Sequence, residues 1–197
     1  MGKGAIKMPE RLLTLEERTI LLQLARQAID SVVHRKPLPS LDLSSLPPSL
    51  TGPGASFVTL TRHGELRGCI GALEAYQPLA EDVREHAVAA ATEDFRFPPV
   101  QVDELPHIQI EISRLTPSSP LDYSRPEDLP GCLRPHVDGV VLRDGWRRAT
   151  FLPQVWEKIP DPEDFLANLC YKMGVSPDLW RNKKLEVFIY QVEEFHE

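Results

Sequence analysis

The chain has 197 residues, of which 42% are hydrophobic and 26% charged, a balance typical of globular proteins that excludes a wholly disordered, collagen-like or coiled-coil chain. Acidic residues outnumber basic ones by 29 to 22, giving a net charge of −7; proteins that bind duplex nucleic acid usually present a basic surface, so nucleic acid is not an expected partner. No apolar run reaches the roughly 18 residues of a membrane span, and three cysteines are too few for a disulfide framework, so we expect no membrane association and a cytoplasmic location.

The first predicted element is a helix over residues 14–34. Thr14 followed by Glu17 fits a capping box, and apolar side chains then recur on one helix face. Residues 1–13 precede it as an N-terminal extension. In residues 35–55, five prolines among serines and leucines predict a Pro-rich connecting segment rather than a helix or a strand.

Next come a strand, a glycine-containing segment and a second helix. Residues 56–61 alternate between two faces, which predicts a strand. The strand leads into the sequence LRGCIG at residues 66–71, where the glycines predict a turn or loop. Residues 78–93 carry an apolar stripe and predict a helix, and Pro98 and Pro99 end that region.

The following part of the chain predicts strands. Residues 107–113 alternate, with three isoleucines on one face and polar side chains on the other. Residues 137–143 and 146–152 predict a hairpin, because the intervening Asp-Gly pair at residues 144–145 suits a two-residue turn that needs a positive φ.

The last predicted elements are a helix and a strand. Asp161 as N-cap and Pro162 as first helical residue open the helix, and Gly174 closes it. Residues 185–192 predict a final strand. Because a hairpin is present and no regular βαβ repeat occurs, we expect an α+β fold with a mainly antiparallel or mixed sheet flanked by helices.

The segment LRGCIG is the strongest candidate for a functional site. Glycines such as Gly68 and Gly71 let a ligand approach the backbone, and consecutive N–H groups in a turn can form an anion-binding nest. Arg67, two residues before Cys69, favours the thiolate if both side chains lie on one face. The residues alone leave two interpretations open: a nucleophilic or ligand-holding thiol, and a small apolar residue packed in a tight turn.

The same segment resembles the signature of the AMMECR family, called protein A of the AmmeMemoRadiSam system in prokaryotes. Further segments resemble the family in consistent order, which implies a single AMMECR-type domain over residues 14–195. They are AAA at 89–91 with DFRFPP at 94–99, IEIS at 110–113, DG at 138–139 and FLPQVWE at 151–157.

The resemblance implies an α+β fold with a larger sheet-and-helix part and a smaller subdomain. The biochemical activity of the family is undefined. Its prokaryotic genes tend to accompany those of Memo-like and radical S-adenosylmethionine (radical SAM) proteins, which are therefore the implied partners. An active site is suspected in a cleft around the signature. The motif positions carried over to this chain are Arg67, Gly68, Cys69, Gly71, Arg96, Glu111 and Gln154.

Three further features invite a functional interpretation. Glu111, on the polar face opposite the isoleucines, is either a group that acts as or orients a base, or a solvated carboxylate. His86, beside an apolar helix stripe, is more often a packing residue than a base for Cys69. Cys132 and His136 lack the second ligand pair of a structural zinc site, so no metal site is predicted. The sequence leaves any cofactor open.

Two functional hypotheses follow. In the first, an enzyme or enzyme subunit uses Cys69 as a nucleophile for acyl or other group transfer, Arg67 stabilises negative charge and Glu111 handles the proton. In the second, the same cleft belongs to a non-catalytic module that binds a small ligand or a peptide of a Memo-like or radical SAM partner. The expected ligand is small and anionic, and its binding residues are Gly68, Gly71, Arg96 and Gln154.

Overall fold

Residues 12–197 are described by a computed structural model, and this part of the chain divides into two units. The first unit contains residues 12–116 and is completed by residues 193–197, whereas the second contains residues 117–192. Antiparallel strand pairs and helices build both units. The α+β class and the smaller second part are therefore confirmed. No helix within the described residues is long and apolar enough to cross a membrane.

The elements are numbered in chain order. The α-helices are α1 Leu15–Val33, α2 Pro48–Thr51, α3 Leu79–Thr92, α4 Leu129–Cys132, α5 Pro162–Lys172 and α6 Leu179–Asn182. The strands are β1 Pro53–Arg62, β2 Glu65–Gly71, β3 Gln77–Pro78, β4 Ile108–Leu115, β5 Ser119–Pro120, β6 Gly139–Asp144, β7 Arg147–Phe151, β8 Glu186–Tyr190 and β9 Val192–His196. Short 3-10 helices cover Leu43–Ser45, Val102–His107, Pro126–Asp128 and Pro153–Glu157.

Helix α1 begins where the sequence predicts. The Thr14 hydroxyl oxygen accepts the N–H of Glu17 at 3.2 Å, and the Glu17 carboxylate accepts the N–H of Thr14 at 2.6 Å. These are the two halves of the predicted capping box. The buried face of the helix, which includes Leu21, Ala25 and Ile29, joins the core of the first unit.

The sheet of the first unit has the strand order β2-β1-β4-β9, with β3 also paired to β1. Helices α1 and α3 contribute to one core together with the inward side chains of the sheet. As predicted, Ile108, Ile110 and Ile112 of β4 point into this core, whereas Gln109 and Glu111 point the other way. The sheet therefore has a face covered by helices and an opposite face that carries polar side chains.

The segment LRGCIG belongs to strand β2, so the predicted loop at residues 66–71 is wrong. The chain turns earlier, at His63 and Gly64, which have φ values of 54° and 83° and lie between the paired residues Arg62 and Glu65. Positive φ at both central positions is the geometry of a type I′ hairpin turn. The turn therefore precedes the glycines of the segment, which continue as strand.

The second unit contains a sheet with the order β5-β8-β6-β7. The predicted hairpin is the pair β6–β7, but Asp144 pairs with Arg147. The two turn residues are thus Gly145 and Trp146, one position later than predicted. Gly145 has a φ of 61°, and glycine at the first central position suits a type II′ turn.

Helix α5 of the second unit begins and ends at the predicted signals. The Asp161 carboxylate accepts the N–H groups of Glu163 and Asp164 at 2.9 and 3.0 Å, which satisfies donors that the first helical turn leaves unpaired. Gly174 follows the helix with a φ of 77°. The core of this unit includes Trp156, whose ring stacks on Phe165 with centroids 3.6 Å apart.

The predicted last strand divides between the two sheets. Strand β8 pairs with β5 and β6 in the second unit, whereas β9 lies beside β4 in the first. The prediction of one strand over residues 185–192 is therefore wrong, because a single residue separates two strands that belong to different sheets.

Candidate functional site

The proposed nucleophile lies in a row of three side chains that crosses the first sheet. Cys69 on β2 pairs with Thr59 on β1, and Thr59 pairs with Glu111 on β4. Side chains of directly paired residues share a face of the sheet. The neighbouring Gly68 faces α3, so this row lies on the opposite face, called the outer face below. The structure therefore brings Cys69 and Glu111 onto one surface and places Thr59 between them.

The outer-face row combines a thiol, a hydroxyl and a carboxylate. The Thr59 hydroxyl donates a hydrogen bond to the Cys69 sulfur at 3.3 Å. All three residues keep part of their surface exposed. Among residues 12–197 the Glu111 carboxylate has no hydrogen-bond or ion-pair partner. Because neighbouring strands lie about 4.8 Å apart, the backbone of Glu111 lies about 10 Å from that of Cys69, with Thr59 between them.

The backbone of Cys69 is held from the free edge of β2. Its N–H donates to the Asp94 carboxylate at 2.8 Å, and its carbonyl oxygen accepts from the Arg96 guanidinium at 3.3 Å. Both backbone groups thus point away from β1, which makes Cys69 and Thr59 a non-hydrogen-bonded pair. Side chains approach most closely in such pairs, and the contact between the sulfur and the Thr59 hydroxyl follows from this geometry.

Arg96 is the cation beside the thiol. Its guanidinium lies 2.7 Å from the buried Asp94 carboxylate, and this hydrogen bond, helped by the N–H of Cys69, holds the pKa of Asp94 well below its usual range. Asp94 in turn raises the pKa of Arg96, and Cys69 adds to that rise. Arg96 is therefore linked to Cys69 as well as to Asp94.

Arg67, the cation that the sequence places beside the thiol, is held by a different partner. Its guanidinium donates two hydrogen bonds, of 2.8 and 2.9 Å, to the buried carboxylate of Glu104, and Arg62 donates a third at 3.0 Å. The hydrogen bond from Arg67 is the main cause that lowers the pKa of Glu104 to about 2. Arg96 rather than Arg67 therefore contacts Cys69. Arg67 instead attaches the 3-10 helix Val102–His107 to β2.

The two glycines of LRGCIG leave space that neighbouring parts of the protein fill. A Cβ on Gly68 would lie 2.1 Å from the carbonyl oxygen of Ala90 in α3, and one on Gly71 would lie 2.4 Å from the ring of Phe57. Neither glycine has a positive φ. The expected anion-binding nest is therefore wrong, because the backbone is extended and the space beside each glycine is filled by the protein itself.

His86 does not lie on the surface that carries the thiol. It is buried in α3, with its Nδ1 3.2 Å from the Asp82 carboxylate, which also accepts the Ser56 hydroxyl at 2.7 Å. This buried network lies between α3 and β1, on the core side of the sheet. His86 is therefore a packing residue rather than a base for Cys69.

The second unit contains the remaining predicted ligand residue. Gln154 lies exposed in the 3-10 helix Pro153–Glu157 and so is not among the residues that the first unit brings together. Cys132, half-buried at the end of α4, is a free cysteine. Within the described part of the chain, no group of three or more His, Cys, Asp or Glu side chains could hold a metal ion.

Two residues of the site are not identified by the sequence. Thr59 is an ordinary strand residue until the register of β1 and β2 is known. Asp94 belongs to the DFRFPP segment, but its bond to Cys69 joins residues 25 positions apart. The sequence does indicate the contact between Asp94 and Arg96. An aspartate readily accepts the backbone N–H of the residue two positions later, as Asp94 does from Arg96 at 3.1 Å.

Comparison with known proteins gives a consistent result over nearly the whole chain. The sequence model of a family described as AMMECR1 matches residues 22–195. A protein from Methanothermobacter thermautotrophicus is 40% identical over 191 residues, covering 94% of this chain and 96% of that protein. One from Thermofilum pendens is 39% identical over 202 residues, covering 94% and 92%. The crystal structure of the uncharacterized protein PH0010 from Pyrococcus horikoshii superposes with a TM-score of 0.76 at 33% identity and covers 94% of this chain and 93% of that one.

Proposed function

This chain belongs to the AMMECR1 family, and we propose that the outer face of its first sheet is a thiol-dependent active site. In this proposal the protein is an enzyme, or a subunit of one, that transfers an acyl or similar group through Cys69. The observation that carries the proposal is the row Cys69–Thr59–Glu111, in which a partly exposed thiol accepts a hydroxyl hydrogen bond beside a guanidinium.

Cys69 is the nucleophile of the proposed reaction. The thiolate is the form that attacks, and the Thr59 hydroxyl and the Arg96 guanidinium both stabilise negative charge on the sulfur. A sulfur–carbon bond forms at the electrophilic carbon while the bond to the leaving group breaks, and the proton lost by the thiol departs with that group. Attack by water or a second acceptor then releases the transferred group and returns the proton to the sulfur.

Glu111 exchanges protons with the substrate rather than with the thiol. Direct proton transfer needs a heavy-atom distance of about 3 Å or one bridging water, whereas two strand spacings separate Glu111 from Cys69. A substrate bound at the sulfur and extending over Thr59 reaches the carboxylate with its other end. Glu111, as a carboxylate, is therefore suited to activate the acceptor by accepting its proton.

One positive charge near the site suits a small anionic ligand. Arg62 and Arg67 share the single carboxylate of Glu104. Glu104 therefore neutralises only one of the two guanidinium charges, and the side chain of Arg62 is partly exposed. Arg67 thus contributes charge from a distance and positions Glu104. Participation of Gln154 and cooperation with Memo-like and radical SAM proteins stay predictions that rest on the resemblance, and cytoplasmic location stays a prediction from the sequence.

The test compares the alkylation rates of two thiols in the same protein. Cys69 and Cys132 are both half-buried free cysteines, so Cys132 is an internal control for exposure. We expect iodoacetamide to modify Cys69 at least about tenfold faster at pH 7, because rate follows thiolate character. Peptide mass spectrometry of timed samples gives both rates. Equal rates would exclude an activated thiol and favour the non-catalytic binding module.

A pair of variants identifies the cause of that reactivity. Thr59→Val removes the hydroxyl that donates to the sulfur and keeps the side-chain shape, so the Cys69 rate should fall several-fold. Thr61→Val makes the same change two residues further along β1, opposite Leu66, and should leave the rate unchanged. An equal fall in both variants would mean that the strand, not the hydrogen bond, controls the thiol.

A further inference from the structure

Phe95 is the most exposed large apolar side chain of the described residues, at 95% of its full surface. Burying a phenylalanine side chain is favourable by about 1.5–3 kcal/mol, so this ring can stabilise a complex with a bound molecule. Single exposed apolar residues are common on protein surfaces and need no explanation by themselves. What distinguishes Phe95 is its position between Asp94 and Arg96, the two residues that hold the backbone of Cys69.

The backbone on both sides of Phe95 is fixed. The Asp94 carboxylate accepts the N–H of Arg96 at 3.1 Å and that residue's Nε at 2.9 Å. The N–H of Phe97 donates to the Asp94 carbonyl oxygen at 3.0 Å. Hydrogen bonds therefore hold the turn on both sides of Phe95, while the ring itself is almost fully exposed. A ligand that packs on this ring does not have to order a flexible segment, which is a main cost of binding.

The same turn is attached to the nucleophile by two hydrogen bonds. Asp94 accepts the N–H of Cys69 at 2.8 Å, and Arg96 donates to its carbonyl oxygen at 3.3 Å. The residue between them is consequently held along the free edge of β2, next to the backbone of Cys69. The charges of Asp94 and Arg96 compensate each other, so the added surface that Phe95 offers is apolar and aromatic.

We propose that Phe95 is a substrate-recognition residue, which packs against an aromatic or other flat apolar group of the molecule that reacts at Cys69. This inference rests on the proposed function, because it takes the Cys69 thiol as the reacting group. It adds a substrate class: an electrophile that carries an aromatic or flat apolar group next to the reacting carbon. Aromatic rings pair favourably in offset or edge-to-face arrangements, so a benzyl group is a suitable probe.

The experiment measures the alkylation of Cys69 by N-benzyl-iodoacetamide and by N-methyl-iodoacetamide. The rate constant for the benzyl reagent is divided by that for the methyl reagent, and the result is divided by the same ratio measured with glutathione. This normalised ratio separates recognition of the benzyl ring from the intrinsic reactivity of the reagents. We expect a ratio above one for the native protein. Phe95→Ser should lower it about threefold to tenfold without changing the N-methyl rate, whereas Phe95→Tyr should keep it.

Controls make each outcome decisive. Leu15→Ser removes another strongly exposed apolar side chain of the first unit and should leave the ratio unchanged. An unchanged ratio in Phe95→Ser, or an equal fall in both rates, overturns the role of Phe95 in recognition. If Cys69 reacts with neither reagent, the proposed thiol function fails separately. In that case saturable NMR shifts of the Phe95 ring on titration with N-benzylacetamide support recognition, and their absence overturns it.

Discussion

Residues of the LRGCIG segment divide into those that build the strand and those that form its surface. Gly68 lets the backbone of α3 approach β2, and Gly71 leaves room for Phe57. Cys69 alternates with Gly68 and so projects from the outer face, the face that Gly71 shares. The two glycines thus bring the strand against its neighbours, and their effect on the thiol is indirect: they fix the strand that carries it.

Replacing Gly68 tests this role. Gly68→Ala places a methyl group 2.1 Å from the Ala90 carbonyl oxygen, a backbone atom that moves only if α3 moves. We expect a loss of about 2 kcal/mol or more in the free energy of unfolding, as for other overpacked sites. Urea denaturation followed by circular dichroism measures it.

Gly52→Ala is the matched control in the same unit. There the nearest atom to the new methyl group is 3.7 Å away and φ is −73°, so the change should be neutral or slightly stabilising. Equal unfolding midpoints for the Gly68→Ala and Gly52→Ala variants would show that α3 does not require glycine at residue 68.

At the scale of elements, two segments after α3 complete the free edge of β2. The turn at residues 94–97 binds the backbone of Cys69 through Asp94 and Arg96. The 3-10 helix Val102–His107 binds Arg67 through Glu104. An unpaired edge strand exposes backbone donors and acceptors, and the side chains of the turn satisfy those of Cys69. The candidate site therefore depends on ion pairs as well as on strand pairing.

These ion pairs predict how stability depends on pH. The hydrogen bond from Arg67 lowers the pKa of Glu104 to about 2 in the folded protein, compared with about 4.3 in an unfolded chain. The folded state therefore binds the proton more weakly, and the stabilisation is present above pH 4.3 and is lost as the pH falls to about 2. Asp94, whose pKa is also lowered, contributes in the same direction.

We expect Glu104→Gln to decrease the free energy of unfolding at pH 7 by about 1–3 kcal/mol and to reduce its fall between pH 5 and pH 2. Asp103→Asn removes an equal charge from an exposed position of the same 3-10 helix and should do neither. Urea unfolding at a series of pH values measures both effects. Parallel pH profiles for the native protein and Glu104→Gln would contradict this assignment.

The sequence predicts elements whose signals are local. The capping box of α1, the alternation of β4 and the N-cap of α5 each depend on residues within a few positions of one another, and all three are confirmed. The glycines of β2 resemble turn residues and so predict a loop, whereas they make room for contacts with α3 and Phe57 that no local pattern reveals.

The candidate site likewise combines residues that local sequence signals identify with contacts that they do not reveal. Cys69 and Glu111 could be chosen from residue type and motif. Their alignment through Thr59 could not, because the register of β1 and β2 shifts between Leu60 and Thr61, and a shift of one residue moves every side chain to the other face. The pairing of Cys69 with Asp94 and Arg96 is a long-range contact of the same kind.

At the scale of the whole molecule, the second unit is an insertion in the sequence between β4 and β9, which are neighbouring strands of the first unit. The chain leaves the first unit after Thr116 and returns at Glu193. The N–H of Glu197 donates to the carbonyl oxygen of Ile110 at 3.2 Å, and Glu193 forms an ion pair with Arg114 at 3.3 Å. Residue numbers thus run in opposite directions along β9 and β4. Exit and return therefore lie at the same end of adjacent antiparallel strands.

This connection predicts that the first unit folds when residues 117–192 are replaced by a short hairpin linker. A loop of about four residues joins antiparallel neighbours, and Glu193 still holds Arg18 and Arg114. Because Trp146, Trp156 and Trp180 all lie in the removed part, circular dichroism follows the unfolding of the shortened protein. We expect a cooperative urea transition and an alkylation rate of Cys69 equal to that of the full chain.

A folded protein in which Cys69 is alkylated more slowly would show that the site needs residues of the second unit. Gln154 would then be the first to test by substitution in the full chain. A shortened chain that does not fold would show that the first sheet depends on the inserted unit for its stability.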